Sequence, residues 1–527
     1  MHRSASILTP LLLFCSSLDY SAGADAQRPN ILFIMVDEMR WDAMSCAGHQ
    51  VVRTPNLDRL AREGTRFATA YTCSAVCSPS RYSFFTGRYA HVHGALTNGV
   101  PPRESQLLLP TLLKHYGYET AISGKLHFTP ARLDYDFDYF WSFGGEGPGK
   151  LQRWPEYLNE KLGPKAVRLV PDSQPYPNDP LGGDIGKLSY PKEDYQTFWI
   201  TDRAVDFLHQ RNPEKPFFLF VSYLDPHSPS HLPEPYWSTA ATMKVPAPKI
   251  PTEVKQERTK SPGTRGERGS ARHLVADEPM AQALTANYYA TMSMVDDNVG
   301  RLLEQLNRLG LAENTIIVFT ADHGNMLGDR GRWFKGLAYE GSARIPLLVK
   351  APGNSPLSGS FNAGKVVPQI VENVDVMPTL LQMAGLPSPA EGIQGKSMVG
   401  LVAGTDPDWK NRAFSQISYM MLRTPQYKLI KNGSKELRRQ EGVYELYDLV
   451  IDPREEHDLA NDQACAKVLE ELSGQLEAWQ KEVPPVPTIP GLKIPDASVS
   501  ASGEGTGKSE QPAAKKRGGK WRRNSGE

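Results

Sequence analysis

The sequence predicts an α/β protein with a mainly parallel central sheet and a smaller α+β domain at its C-terminal end. Three observations carry this. Residues 31–36, 217–223 and 315–320 are continuous apolar runs, the pattern of strands buried on both faces of a parallel sheet. Helical patterns at 56–63, 108–115, 201–210 and 292–309 lie between them, and strands alternating with helices imply parallel pairing. After about Gly404 the texture changes to short alternating segments.

Each strand run ends in chemistry. The first stops at Asp37-Glu38, the second at Leu224-Asp225-Pro226-His227, the third at Ala321-Asp322-His323-Gly324. Ligands of open α/β sheets bind beyond the carboxyl ends of the strands, so these termini mark the edge to watch. Residues 27–404 read as the catalytic domain. Within it, the charged, Gly/Pro-containing stretch 252–272 reads as a flexible insertion. Residues 405–483 form the small domain: strands at 426–430 and 443–448, then an amphipathic helix over 466–483. Residues 484–527 are rich in Pro, Gly, Ser and Lys/Arg and read as a disordered basic tail. Its cluster Lys515, Lys516, Arg517, Lys520, Arg522 and Arg523 is first a solvated tail and second a contact for an anionic polymer.

The 527 residues carry 59 Lys+Arg and 59 Asp+Glu, so net charge is zero. Bulk-charge binding of nucleic acid is excluded, and an anionic ligand needs a local cluster. Residues 1–26 read as a signal peptide: His2 and Arg3, an apolar run, then Ala24-Asp25-Ala26 before the cleavage point. The run is too short to span a bilayer, and no later stretch offers a transmembrane anchor. Phe14 before Cys15 does not fit a lipoprotein signal. The expected location is secreted or periplasmic. The other four cysteines, Cys46, Cys73, Cys77 and Cys465, are too sparse for a disulfide scaffold.

Taken alone, Cys77 reads as a buried thiol or a partner for Cys73. Its setting is Cys77-Ser78-Pro79-Ser80-Arg81, followed by Thr86-Gly87-Arg88. Asp37 and Glu38 taken alone are turn or capping acids. Asp322 and His323 sit in Phe319-Thr320-Ala321-Asp322-His323-Gly324-Asn325-Met326-Leu327-Gly328-Asp329. Lys125 and His127 lie in Gly124-Lys125-Leu126-His127, His227 in Pro226-His227-Ser228-Pro229, and Lys335 in Trp333-Phe334-Lys335-Gly336. Each basic residue singly is an ordinary surface lysine or satisfied histidine. Together they supply the fixed donors that a tetrahedral anion requires.

These segments resemble the type I, formylglycine-dependent sulfatases of the alkaline-phosphatase-like superfamily, from Arg28 to roughly Leu459. The resemblance implies an alkaline-phosphatase-like sandwich. It implies that Cys77 is oxidised to formylglycine (3-oxoalanine) by a formylglycine-generating or anaerobic sulfatase-maturating enzyme. One oxygen of the hydrated aldehyde would attack sulfur and the other would later expel sulfate. One calcium ion would be held by Asp37, Asp322, His323 and residue 77. Glu38 stands where the family usually has a second aspartate, so its place among the ligands stays open. Arg81 and Lys125 would hold the formylglycine and the sulfate. His227 and Lys335 would serve the departing alcohol, and His127 would take the proton from the remaining hydroxyl. The expected substrate is a sulfated saccharide. Two rivals remain: a phosphonate or phosphate ester hydrolase of the same superfamily, and a non-catalytic binder of sulfated glycans.

Overall fold

The computed structural model describes residues 28–103, 105–130, 135–144, 151–163, 185–188, 190–248, 272–273, 278–389, 391–433 and 442–492. The segment Asn30–Val36 is buried at every position and forms the middle of the main sheet. It pairs in parallel with Thr315–Ala321 on one side and Phe217–Tyr223 on the other. Glu119–Lys125 extends the parallel set beyond Phe217–Tyr223, and Tyr139–Gly144 follows it. On the other flank Leu347–Lys350 turns antiparallel, then Thr65–Tyr71 and Arg344–Ile345. Lys365–Glu372 pairs in parallel with Thr65–Tyr71, and Leu151–Gln152 closes the far edge of this ten-stranded sheet. The mainly parallel α/β architecture expected from the three apolar runs is present.

Helices cover the sheet. Cys77–Thr86 is buried along its whole length, so its contacts dictate each of its residues. Phe84 and Phe85 meet Phe33 and Phe220 in edge-on and tilted arrangements at 5.0 to 6.1 Å between ring centres. Gly87 ends this helix at φ 65°, a left-handed conformation that glycine adopts without strain. Glu278–Arg308 is a 31-residue helix in contact with Pro55–Glu63 and Gln196–Gln210. The four-stranded antiparallel sheet Ala413–Gln416, Tyr419–Arg423, Tyr427–Asn432 and Tyr444–Asp448 forms the C-terminal layer. The helix Ala466–Lys481 covers it, with Trp479 stacked on Phe414 at 4.7 Å.

Several expectations change. The helices expected to begin at 201 and 292 begin at Gln196 and Glu278. Their leading turns bury Thr197, Thr285, Asn287 and Thr291, polar residues that hide the apolar period. Glu119–Lys125, with Thr, Ser, Gly and Lys in seven residues, gives no apolar run yet is a central strand. Residues 484–492, read from the sequence as part of the basic tail, are among the described residues. Pro484 and Pro485 lie against Arg88, whose buried guanidinium donates to both carbonyls at 2.7 and 3.2 Å. Residues 1–27 and 493–527 lie outside the described residues, as does the insertion except its last residue. That residue, Arg272, pairs with Trp333 in a two-residue strand. Among the described residues no helix is long and apolar enough to cross a membrane.

Candidate active site

Register brings the strand ends together. Val36 pairs with Ala321 and with Tyr223, and Gly124 pairs with Ser222. One step further along these four parallel strands lie Asp37, Asp322, Leu224 and Lys125, all at one edge. Asp37 and Asp322 are fully buried there. Glu38 takes φ 68°, uncommon for a side-chain-bearing residue. Two backbone bonds hold it: its N–H donates to Asp322 Oδ1 at 3.1 Å, and its carbonyl accepts from the Tyr288 hydroxyl at 2.7 Å.

Cys77 opens its helix and faces this edge. Val76, the capping residue, supplies no side-chain bond; Ser78 N–H instead donates to Asn98 Oδ1 at 3.0 Å. The Cys77 Sγ lies 3.2 Å from His323 Nε2, 3.3 Å from Lys335 Nζ, and 3.6 Å from both Lys125 Nζ and Asp37 Oδ1. Burial and Asp37 push its thiol pKa up, but Lys125, Lys335 and His323 outweigh them and hold it well below the usual value. A thiol among three nitrogen donors marks where an anionic or strongly polarised oxygen would be favoured. Cys46, Cys73, Cys77 and Cys465 are all free thiols, so Cys77 does not pair with Cys73.

Arg81, one helical turn after Cys77, reaches under the site. Its Nε donates to Asp322 Oδ2 at 2.9 Å, and its Nη1 to the Lys125 carbonyl at 2.6 Å and Ser222 Oγ at 2.9 Å. Its Nη2 is 3.5 Å from Asp37 Oδ2. Lys125 also pairs with Asp37. Burial alone would raise the Asp37 carboxyl, yet Lys125 and the other nearby cations hold it well below the usual range. Lys335 is 3.3 Å from Glu38 Oε2, and His227 Nε2 is 3.8 Å from the same oxygen. Burial and Lys335 depress the His227 pKa to about 3, so its ring is neutral. His323 moves the other way, to about 9: burial and Lys335 lower it, but Asp322 and Cys77 together raise it by more. His127 takes φ 59°, its carbonyl accepts from Ser78 Oγ at 2.6 Å, and its ring reaches Cys77.

The structure thus gathers all ten residues singled out by sequence. Asp37, Cys77, Asp322 and His323 each offer a ligand atom within 4.8 Å of one another. Glu38 falls outside that group, in an overlapping one with Asp37 and His227. With an oxygen in place of the Cys77 sulfur, the donors of this group would be mainly oxygen, which suits a hard divalent ion. Other residues of the site carried no recognised signal. Ser222 looks like one more strand residue, and Asn98 lies in a loop. Asn325 stands inside the Asp322 segment, but nothing there announces that its amide donates to Glu38 Oε1 at 2.9 Å.

Comparison with known proteins agrees with this arrangement. The sulfatase family profile matches residues 29–386. A profile for the C-terminal part of N-sulphoglucosamine sulphohydrolase matches residues 328–482. An arylsulfatase of Clostridium perfringens is 30% identical over 477 residues, covering 86% of this chain and 96% of that protein. An N-acetylglucosamine-6-O-sulfatase of Bacteroides thetaiotaomicron is 29% identical, covering 90% of each. Among solved structures, the phosphonate monoester hydrolase of Agrobacterium radiobacter superposes with a TM-score of 0.73 at 25% identity, covering 88% of this chain and 100% of that one. A second, in complex with its substrate D-glucosamine-2-N,6-O-disulfate, gives a TM-score of 0.67 at 27% identity, covering 86% and 98%. With a profile across most of its length and relatives matched nearly end to end, the chain belongs to the sulfatase family of the alkaline-phosphatase-like superfamily and is a sulfuric ester hydrolase.

Proposed function

We propose that the protein removes sulfate from a sulfated saccharide, with residue 77 acting as formylglycine beside one calcium ion. The observation that carries this is the convergence of His323, Lys335, Lys125 and Asp37 on one sulfur atom, all within 3.6 Å. The Sγ stands in for the oxygens of the hydrated aldehyde, which would supply both an attacking and an expelling hydroxyl. Calcium, held by Asp37, Asp322, His323 and residue 77, would neutralise sulfate oxygens and acidify the attacking hydroxyl.

The remaining work falls to side chains. Arg81 fixes Asp322 and Asp37 from below, so both carboxylates keep their lone pairs toward the cluster. Lys125 and Lys335, both close to residue 77, would supply positive charge to the anion as negative charge spreads in the transition state. His227 and Lys335 lie on one side of the site, where they would serve the departing ester oxygen, the Lys335 ammonium donating to it and the neutral His227 ring orienting it. His127, whose ring reaches residue 77, would receive the proton of the second hydroxyl. The saccharide reading draws support from relatives named for N-acetylglucosamine-6-O-sulfatase activity and bound to a glucosamine disulfate. The signal-peptide features support export.

Peptide mass spectrometry across Cys77, after co-expression with a maturation enzyme, tests this. The expected product is a formylglycine peptide whose abundance tracks activity on 4-nitrophenyl sulfate. An active preparation holding only the thiol would sink the mechanism. One observation favours a second reading, phosphonate ester hydrolysis: the superposition on the phosphonate monoester hydrolase. Equal or higher rates on a phosphonate monoester than on an aryl sulfate would favour it.

A further inference from the structure

The fixed charges around residue 77 balance before any ligand is counted. Among the described residues of the site, three carboxylates face three permanent cations. Asp37 pairs with Lys125, Asp322 accepts from Arg81 at 2.9 Å, and Glu38 lies 3.3 Å from Lys335. Glu38 is the carboxylate that the arginine does not touch, and it neutralises the lysine nearest the nucleophile.

We infer that Glu38 is a charge filter, which makes the site accept singly charged esters and reject doubly charged phosphate monoesters. A sulfate ester carries one negative charge, as do phosphonate monoesters and phosphate diesters. A phosphate monoester, whose second proton leaves near pH 6, carries close to two at neutral pH. The second charge would sit a few ångströms from a buried carboxylate, where repulsion is strong and salt does not screen it. This deepens the sulfatase reading and rests on it.

The carboxylate has no route out of the site. Glu38 is 1% exposed. Its Oε1 accepts from Asn325 Nδ2 at 2.9 Å, while Asn325 Oδ1 accepts from the Leu327 and Phe334 N–H groups at 2.8 and 3.1 Å. Those two bonds set which end of the amide faces Glu38. The left-handed backbone at Glu38 is pinned by Asp322 and Tyr288. Its charge counts equally whether the side chain stays on Lys335 or turns to a bound cation.

The test compares 4-nitrophenyl sulfate with 4-nitrophenyl phosphate, which share a leaving group, in formylglycine-containing enzyme with metal content measured. In Glu38→Gln the sulfate-to-phosphate ratio of kcat/KM should fall at least about tenfold. In Glu38→Asp it should stay within about twofold, since the charge is kept. A singly charged phosphonate monoester should follow the sulfate. If Glu38→Gln does not fold, Glu38→Ala serves, because it asks for no new hydrogen bonds. A ratio unmoved by loss of the charge, or moved equally by Glu38→Asp, overturns the inference. Wild-type enzyme inert on every sulfate ester would instead sink the sulfatase reading.

Discussion

At the scale of single residues, Arg81 holds the site together. Its guanidinium is fully buried, and its partners come from three different strands. Asp37 and Asp322 both depend on it for compensation. Arg81→Ala would leave buried carboxylates short of a partner, which costs about 3–5 kcal/mol. Urea denaturation of metal-free protein measures this, and activity should drop to background. Arg81→Lys keeps the charge but cannot span Asp322, Ser222 and the Lys125 carbonyl at once. It should recover part of the stability and little of kcat. A variant equal to wild type in both would refute this account.

At the scale of elements, a distant helix caps another. Thr54 precedes Pro55–Glu63 but makes no side-chain cap, because its Oγ1 is engaged with Ser45 at 2.9 Å. Asp296 of Glu278–Arg308 replaces it, accepting from the Leu57 N–H at 2.8 Å and the Asn56 N–H at 3.1 Å. Asp296→Ala should therefore cost about 1–2 kcal/mol, the usual loss of an N-cap. Asp296→Asn, which keeps an acceptor, should cost less. Thermal melts check both, and kcat/KM should change little, since Asp296 lies about two turns along its helix from Tyr288, the residue of that helix that holds Glu38.

At the scale of the whole molecule, folding shields a histidine from protons. His93 is buried, with Nε2 3.0 Å from Ser83 Oγ and Nδ1 accepting from the Ala95 N–H at 3.1 Å. Burial, aided by Arg88, lowers its pKa from 6.5 to about 3. Unfolded chain takes up this proton below about pH 6.5 and folded chain does not. The stability is therefore complete above that pH and lost as pH falls toward 3, at up to about 1.4 kcal/mol per unit. Urea midpoints at pH 7.5 and 5.5 should show a smaller drop in His93→Gln than in wild type. Identical slopes would show that His93 contributes nothing to acid sensitivity.

The parallel strands at 31–36, 217–223 and 315–320 were legible in the chain because a strand buried on both faces must be apolar throughout. The residues of the site were legible because they end those strands or occupy compact motifs. Glu119–Lys125 was hidden: its neighbours, not its composition, make it a strand. The positions of Ser222, Asn98 and Asn325 depend on contacts between segments far apart in the chain. Glu38 is the sharpest case. Its neighbour Asp37 suggests a metal ligand, but a left-handed turn and an amide 287 positions away direct its carboxylate to Lys335. Composition and local pattern reveal which groups exist and which edge they share. Their pairing is an electrostatic outcome of packing, which no stretch of chain carries alone.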